Sequence, residues 1–493
     1  MEARSLEVSP HELAEEQLGF FRWGHIGGRV LLTNDAGDWA FLTQAEFSEL
    51  LAGRITSGHP RYAELQRKAF LREGMDIDAL AARIGRRSRH AGRGPGVHVV
   101  SVISEGSDGA ARVMSTATAD RVIELALQTT APTLAFEIQA CDGSPLRNFE
   151  VVRHLVERCR ERNRAAEGKP LQFRLFSNLM AMTEEIAEWL VANDVAVTTR
   201  LDGPARLHEA NLRWRAGVGH AQVVHWITWF HRRYAELRRD PKVWRVEARP
   251  LLTRDSLSAG REIVDEYLAQ GLKTIHLRPP NPALFAADTW REIGYRAEDY
   301  LEFYRQTLDY ILERNRAGND LAERLAGIFL GRMISVEDGG IVDLQSPCGD
   351  GSSQLAYSAD GRVFPSEAAM VVDARGDSLF DLGRLEDVSV SSLLAHPTVR
   401  AIAAASLLDS QPKCSDCWNK PYCGFSPVYN FMNQGDLFGQ RPSCLACNEQ
   451  FGVAGRLFEL LATEDPGLLE IFRRWALPAV AGSGGARAAS EAP

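Results

Sequence analysis

Between Val97 and about Pro282 one pattern repeats six times: a short apolar run of strand length, then a longer segment whose apolar residues follow helical spacing. The strand candidates are VHVVSVI from Val97, TLAFEI from Thr133, LQFRLF from Leu171, AVTTRL from Ala196, VEARPLL from Val246 and KTIHLRP from Lys273. Amphipathic helices lie between them, among them ADRVIELALQ from Ala119, FEVVRHLVERC from Phe149, TEEIAEWLV from Thr183 and AGREIVDEYLAQG from Ala259. Consecutive parallel strands need crossover connections, and helices supply them while covering the sheet, so the pattern dictates an α/β fold built on a parallel sheet. Six units suit a partial (β/α)6 barrel; an open doubly wound sheet follows from the same pattern.

Flanking this core are two units of different character. The first spans residues 1–93 with its linker. RVLLTNDAGDWAFLT alternates like a hairpin around Asn34 to Gly37, Thr43 and Glu46 form a capping box ahead of Phe47, Leu50 and Leu51, and a second helical stretch runs from Arg61 towards Phe70. Arg83, Arg86, Arg87, Arg89 and Arg93 read as a solvated connector to the core, which occupies 94–330. Long helices from about Ala297 to Arg316 and around Leu321 to Phe329 lead into a loop-rich unit over 331–477. There LAYSADGRVF has strand, Asp-Gly turn, strand character, and helices are expected at Ala454 to Ala462 and Leu468 to Trp475. The low-complexity run AGSGGARAASEAP places a disordered tail at 478–493. At 493 residues the chain has the length of about three domains.

A net charge of -9, with both signs mixed along the chain, leaves no footprint for nucleic acid or an anionic membrane. No apolar run reaches the roughly 20 residues of a membrane span, and MEARSLEVSPHELAEE lacks the pattern of a signal peptide, so the expected compartment is the cytoplasm.

The eight cysteines are unevenly placed. Cys141, Cys159 and Cys348 stand alone, whereas Cys414, Cys417, Cys423, Cys444 and Cys447 crowd together. In a reducing compartment such crowding points to metal rather than disulfides. Each Cys-x-x-Cys turn converges two thiolates, and four close a tetrahedral zinc or a [4Fe-4S] cluster; spacing alone leaves both open. Cys141 reads as a small packing residue.

The run CSDCWNKPYCGFSPVYNFMNQGDLF, with CGDGSSQLAYSADGRVFPSEAAM upstream of it, resembles the SPASM segment of radical SAM peptide maturases. SNLMAMTEEIAEWLVANDVAV, RLDGPARLHEANLR, EIVDEYLAQGLKTIHLRPPNP and LLTNDAGDWAFLTQAEF resemble the B-type maturase of His-Xaa-Ser peptide systems, so the likeness covers nearly the whole chain apart from its ends. It implies a radical SAM partial barrel, an N-terminal winged-helix-like element of the kind that grips leader peptides, and a SPASM-like C-terminal domain.

The departures from that family matter as much. Its members carry Cys-x3-Cys-x2-Cys after the first barrel strand; here Ser104-Glu105-Gly106-Ser107-Asp108-Gly109 holds no cysteine, and serine is a poor ligand for soft iron. The glycine-rich turn that touches the methionine amino group of the cofactor is replaced by Gln139-Ala140-Cys141-Asp142-Gly143-Ser144-Pro145, which leaves binding of S-adenosylmethionine in doubt. The resemblance implies one auxiliary cluster at Cys348 and the positions of Ser366 and Ser426, where two ligands are missing. It places the other at Cys414, Cys417, Cys423 and one of Cys444 and Cys447, where the set is complete, and Cys348 stays a further candidate ligand. The resemblance and its departures together imply a degenerate, pseudoenzyme-like maturase with no catalytic residue, bearing one [4Fe-4S] cluster or alternatively zinc. Its partners would be a precursor peptide, an active radical SAM maturase, or both. Two rival readings are an active peptide-modifying enzyme working with a partner subunit and a zinc-stabilised binding scaffold.

Other candidates are weaker. His225 and His231 flank Trp226, Trp229 and Phe230 and read as aromatic packing. Asp202 follows the fourth strand, where such folds place ligands, and is either a peptide-contacting acid or a turn-former; Arg200 stands where the family suggests a small polar residue. No phosphate-cradling loop, nucleophile elbow or dinucleotide fingerprint is present.

Overall fold

The computed structural model describes residues 14–166, 168–215, 217–241, 243–334 and 342–476. The start of the chain and the expected tail at 478–493 lie outside them.

Three antiparallel strands, β1 (Arg22–Ile26), β2 (Arg29–Thr33) and β3 (Trp39–Leu42), form the N-terminal sheet. The turn between β2 and β3 is built as its sequence predicts: Asn34 Oδ1 accepts from the amides of Ala36 and Asp38, and Gly37 takes the left-handed conformation at φ +81°. Thr43 and Glu46 close the capping box of the helix Gln44–Leu51, which buries Phe47 and Leu50. A further helix, Ile77–Arg87, carries the arginine run, and here the expectation of a solvated connector is corrected. Residues four apart share a helix face. Arg83 therefore pairs with Asp38 at 2.7 Å, while Arg87 donates to the carbonyls of Arg332 and Pro421 and lies over the ring of Tyr422.

The central sheet contains the expected parallel strands β4 (Val97–Glu105), β6 (Leu134–Ala140), β7 (Leu171–Phe176), β8 (Val195–Arg200) and β9 (Glu247–Arg249) in sequential order. β5 (Ala111–Val113) folds back antiparallel on the end of β4. The fifth run yields only three residues because Pro250 has no N–H to continue the ladder. The sixth yields only β10 (Thr274–Ile275), which pairs with β11 (Ala322–Glu323) outside this sheet. The buried Glu323 carboxylate fixes that departure by accepting from the amides of Leu277, Leu325 and Ala326 and from the Tyr304 hydroxyl.

The C-terminal unit is sewn onto the other edge of the sheet, a connection absent from the sequence pattern. β12 (Gln354–Tyr357) runs parallel to β4 and turns through Gly361, at φ +82°, into antiparallel β13 (Val363–Phe364). One apolar core then spans strands and helices, with His98, Phe136 and Phe173 stacked in register across β4, β6 and β7 at centroid spacings of 5.3 and 5.4 Å. The helices Ala297–Arg316, Leu445–Leu461 and Pro466–Ala476 form where helical spacing predicts them, and the helix expected around Leu321 to Phe329 runs from Arg324 to Ile334. Among the described residues no helix is long and apolar enough to cross a membrane.

Candidate metal centre

The five crowded cysteines lie on turns and one helix start. Cys414 and Cys417 share a turn closed by Cys417 N–H donating to the Cys414 carbonyl, and Cys423 follows the short 3-10 turn Lys420–Tyr422. Cys444 is the N-cap of the helix Leu445–Leu461, and Cys447 lies in its first turn, where the helix dipole favours a thiolate. All five are free thiols.

Burial pushes the thiols of Cys414, Cys417, Cys423 and Cys447 above the ordinary range, Cys447 to about 11. The neighbouring cysteines add to the rise: Cys417 and Cys444 act on Cys414; Cys447, Cys417 and Cys414 act on Cys423; Cys444, Cys414 and Cys417 act on Cys447. Each thiol is therefore within electrostatic reach of others in the set, and ionising several together without a cation would cost heavily. They are not drawn onto one point: among the described residues no three His, Cys, Asp or Glu side chains stand as a metal-ligand set. Cys423 Sγ instead faces Gln450 Oε1 at 3.4 Å. The donor set still fits a soft cation, which would supply the charge that lets these thiols ionise and converge.

This segment is bolted to the N-terminal sheet. Tyr422, fully buried, donates its hydroxyl to the Gly37 carbonyl at 3.1 Å, and Thr33 Oγ1 donates to the Trp418 carbonyl at 2.8 Å. Lys420 pairs with Asp35 at 2.9 Å and with Asp409, and Arg22 holds Asp35 and the Ser415 carbonyl. Gly24 is required by close approach, since a Cβ there would sit 2.3 Å from Trp418 Cδ1. Trp418 and Tyr422 pack with Trp39 and Phe41 around Phe458. Sequence reasoning missed Asp35 and Lys420, because a lone Asp in a turn and a lone Lys between cysteines carry no signal of each other.

The remaining predicted residues lie elsewhere. Cys348 is buried, its amide donating to Ser406 Oγ and its Sγ 3.8 Å from the Val342 carbonyl. Ser426 donates to the buried Asp350 carboxylate at 2.5 Å, Gln354 donates to the same group at 2.7 Å, and the buried Ser366 hydroxyl has no partner among the described residues. Where the family resemblance implied a second cluster, an aspartate now cross-links the loops. Asp350→Ala, which removes the buried acceptor of two half-buried donors, is expected to lower unfolding free energy by about 2 kcal/mol in urea titrations, against about 1 kcal/mol for Ser426→Ala. Equal effects of the two would contradict this cross-link.

Asp202 has no exposed surface. Its Oδ1 accepts from the Leu251 amide at 2.7 Å, and Arg200 and His208 lie 3.3 and 3.6 Å from Oδ2. It ties the end of β8 to the segment after β9, the arrangement expected of the turn-former reading. Cys141 is corrected, for it is exposed at the end of β6 rather than packed. His225 and His231 sit on the helix His220–Glu236 beside its aromatic cluster, as expected. At the end of β4, Gly106 to Gly109 make a tight turn into β5, held by Gly109 N–H to the Gly106 carbonyl, and Ser104 Oγ accepts from the Ala359 amide.

No family model and no curated protein matches this chain. Solved structures do. Histidine-tagged anSMEcpe with bound AdoMet is 15% identical at a TM-score of 0.60, over 77% of this chain and 98% of that one. Native anSMEcpe with bound AdoMet and the Cp18Cys peptide is 15% identical at 0.58, over 77% and 100%. SuiB of Streptococcus suis bound to S-adenosylmethionine is 16% identical at 0.51, over 86% and 98%. At such identities the likeness speaks for the fold, and the chain shares that of anSMEcpe and SuiB along most of its length.

Proposed function

We propose that this chain is a degenerate radical SAM/SPASM maturase of a His-Xaa-Ser type peptide-modification system, cytoplasmic, which binds a precursor peptide or an active maturase. In this reading residues 94–330 are a partial barrel between a peptide-gripping unit at 1–93 and a SPASM-like unit at 331–477. Cys414, Cys417, Cys423 and one of Cys444 and Cys447 hold a single [4Fe-4S] cluster. With every iron bound by thiolate, that cluster supplies electron transfer or a structural clip and leaves no position for substrate.

The observation that carries the proposal is selective loss. The chain keeps the fold and five thiols crowded in sequence, each within electrostatic reach of others of the set, while the turn after β4 is a four-residue hairpin from Gly106 to Gly109 without a cysteine. Reductive cleavage of S-adenosylmethionine needs a cluster as electron donor and chelator, so cleavage is what we propose is lost. The solved structures similar to this chain hold AdoMet, so they lend no support to a loss of its binding here. Several also hold peptides, Cp18Cys in anSMEcpe and the precursor SuiA in SuiB, which supports a peptide as partner.

The test is a pull-down of a His-Xaa-Ser precursor peptide, and separately of an active maturase, by the full chain. Retention of either at micromolar concentration is expected. Retention of neither would overturn the proposal.

A further inference from the structure

The helix Leu445–Leu461 lays one face along the segment from Cys414 to Cys423. Three of its side chains fix that face by contact: Gln450 Oε1 accepts from Cys423 Sγ at 3.4 Å, the Phe451 ring lies 4.7 Å from that of Trp418, and Phe458 packs on Trp418 and Tyr422. Residues three and four apart on a helix are neighbours, so Cys447, one turn before Gln450 and Phe451, belongs to the same half-buried face.

Cys444 is turned elsewhere. As the N-cap it precedes the helical turn, with φ -79° and ψ 110°, and its Sγ–H donates to Asn430 Oδ1, at 3.9 Å, on the neighbouring helix Pro427–Gln434. Asn430 is held in that orientation because its Nδ2 donates to the carbonyls of Leu437 and Phe438 at 3.1 and 3.3 Å. Cys444 is 2% exposed, so drawing its thiol out of this seat would open a buried gap. The charges follow the same division: burial raises the Cys423 thiol first, and among the neighbouring thiols Cys447 raises it most.

We infer that Cys447, rather than Cys444, completes the ligand set with Cys414, Cys417 and Cys423, and that Gln450 is its positioning residue: the amide oxygen accepts from Cys423 while that group is a thiol, and the amide N–H donates to the same sulfur once it has ionised. A carboxamide suits both states because it carries an acceptor and two donors on one rotatable group, whereas a thiolate only accepts. Loading exchanges four S–H bonds for four S–metal bonds and releases four protons to solvent, and the N–H of Gln450 offsets part of the charge left on sulfur. This assignment rests on the metal centre proposed above.

The test is anaerobic cobalt(II) titration of the full chain, with zinc in competition, on the parent, Cys447→Ala, Cys444→Ala, Gln450→Leu and Gln450→Glu. The parent and Cys444→Ala are expected to show the same d–d bands of tetrahedral thiolate coordination, and Cys447→Ala to lose them. Each variant is compared with the parent by circular dichroism before cobalt is added, and Cys447→Ser replaces Cys447→Ala if the latter departs from it. Gln450→Leu is expected to bind cobalt about 10- to 100-fold more weakly, the usual cost of removing an outer partner of a ligand, and to move the sulfur-to-cobalt charge-transfer band to lower energy, because a sulfur without its N–H donor gives up electrons more readily. Gln450→Glu, which accepts and cannot donate, is expected to bind more weakly still. Bands kept by Cys447→Ala, or lost in Cys444→Ala, would overturn the ligand assignment and leave the metal centre standing. An unmoved charge-transfer band in Gln450→Leu, whatever its affinity, would reduce Gln450 to a packing residue and overturn its role. No cobalt or zinc held by the parent chain would overturn the metal centre itself, and the assignment with it.

Discussion

Cys423→Ala is expected to abolish retention of metal after desalting, while Cys348→Ala and Cys141→Ser retain it. Structural metal sites of four thiolates carry about 10–16 kcal/mol of apparent binding free energy in small zinc peptides, and removing one ligand leaves too little to survive dilution. The second consequence is mechanical. Trp418, Lys420 and Tyr422 lie between Cys417 and Cys423 and carry the contacts to Thr33, Asp35 and Gly37, so the turn that would wrap the metal also clamps the N-terminal sheet. Limited proteolysis of Cys423→Ala should therefore cut residues 14–93 faster than in the parent chain. Of Cys444→Ala and Cys447→Ala, one should lose metal and the other keep it. Full metal retention by Cys423→Ala would remove the assigned ligand set.

Glu247→Ala is expected to be the most destabilising substitution away from the cysteines, at about 3–5 kcal/mol. The carboxylate is 4% exposed and holds Arg174 and, at 3.0 Å, Arg324. Taking out one member of a buried ionic group leaves the others charged and without a partner. The same group sets an acid limit. Glu247 is held at about 2 against an ordinary 4.5; burial alone would raise it, and the guanidinia of Arg174 and Arg324 outweigh that. A carboxyl depressed by folding contributes stability that is complete above about pH 4.5 and is lost as pH falls towards 2, here about 3 kcal/mol in total. Urea titrations from pH 7 down to about 2.5 should show that loss in the parent chain and its absence in Glu247→Gln. Identical acid limbs in the two chains would show that Glu247 is not the group responsible.

Much of the fold was legible because local signals agreed with tertiary ones. The Asn34 to Gly37 turn, the Thr43 and Glu46 box and the first four parallel strands are determined by residues close in sequence. Most of the failures involve partners far apart. KTIHLRP has strand composition, yet Glu323, almost fifty residues on, recruits its backbone away from the sheet. Arg83 and Arg87 looked solvated because Asp38, Arg332 and Pro421 cannot be assigned to them from sequence. Asp202 sits at a strand end where ligands bind, and only the Leu251 amide and Arg200 reveal it as a buried tie. The candidate metal segment was visible from cysteine spacing; its clamp on the N-terminal sheet was not.

The measurement that tests the central claim most directly is anaerobic reconstitution of the full chain with iron and sulfide, followed by iron, sulfide and zinc analysis, an absorption spectrum and an assay for S-adenosylmethionine cleavage. One chain should hold about one [4Fe-4S] cluster and produce no 5′-deoxyadenosine. Formation of 5′-deoxyadenosine would contradict a silent barrel, and one tightly held zinc without iron would contradict the cluster and make the C-terminal cysteines a structural clip.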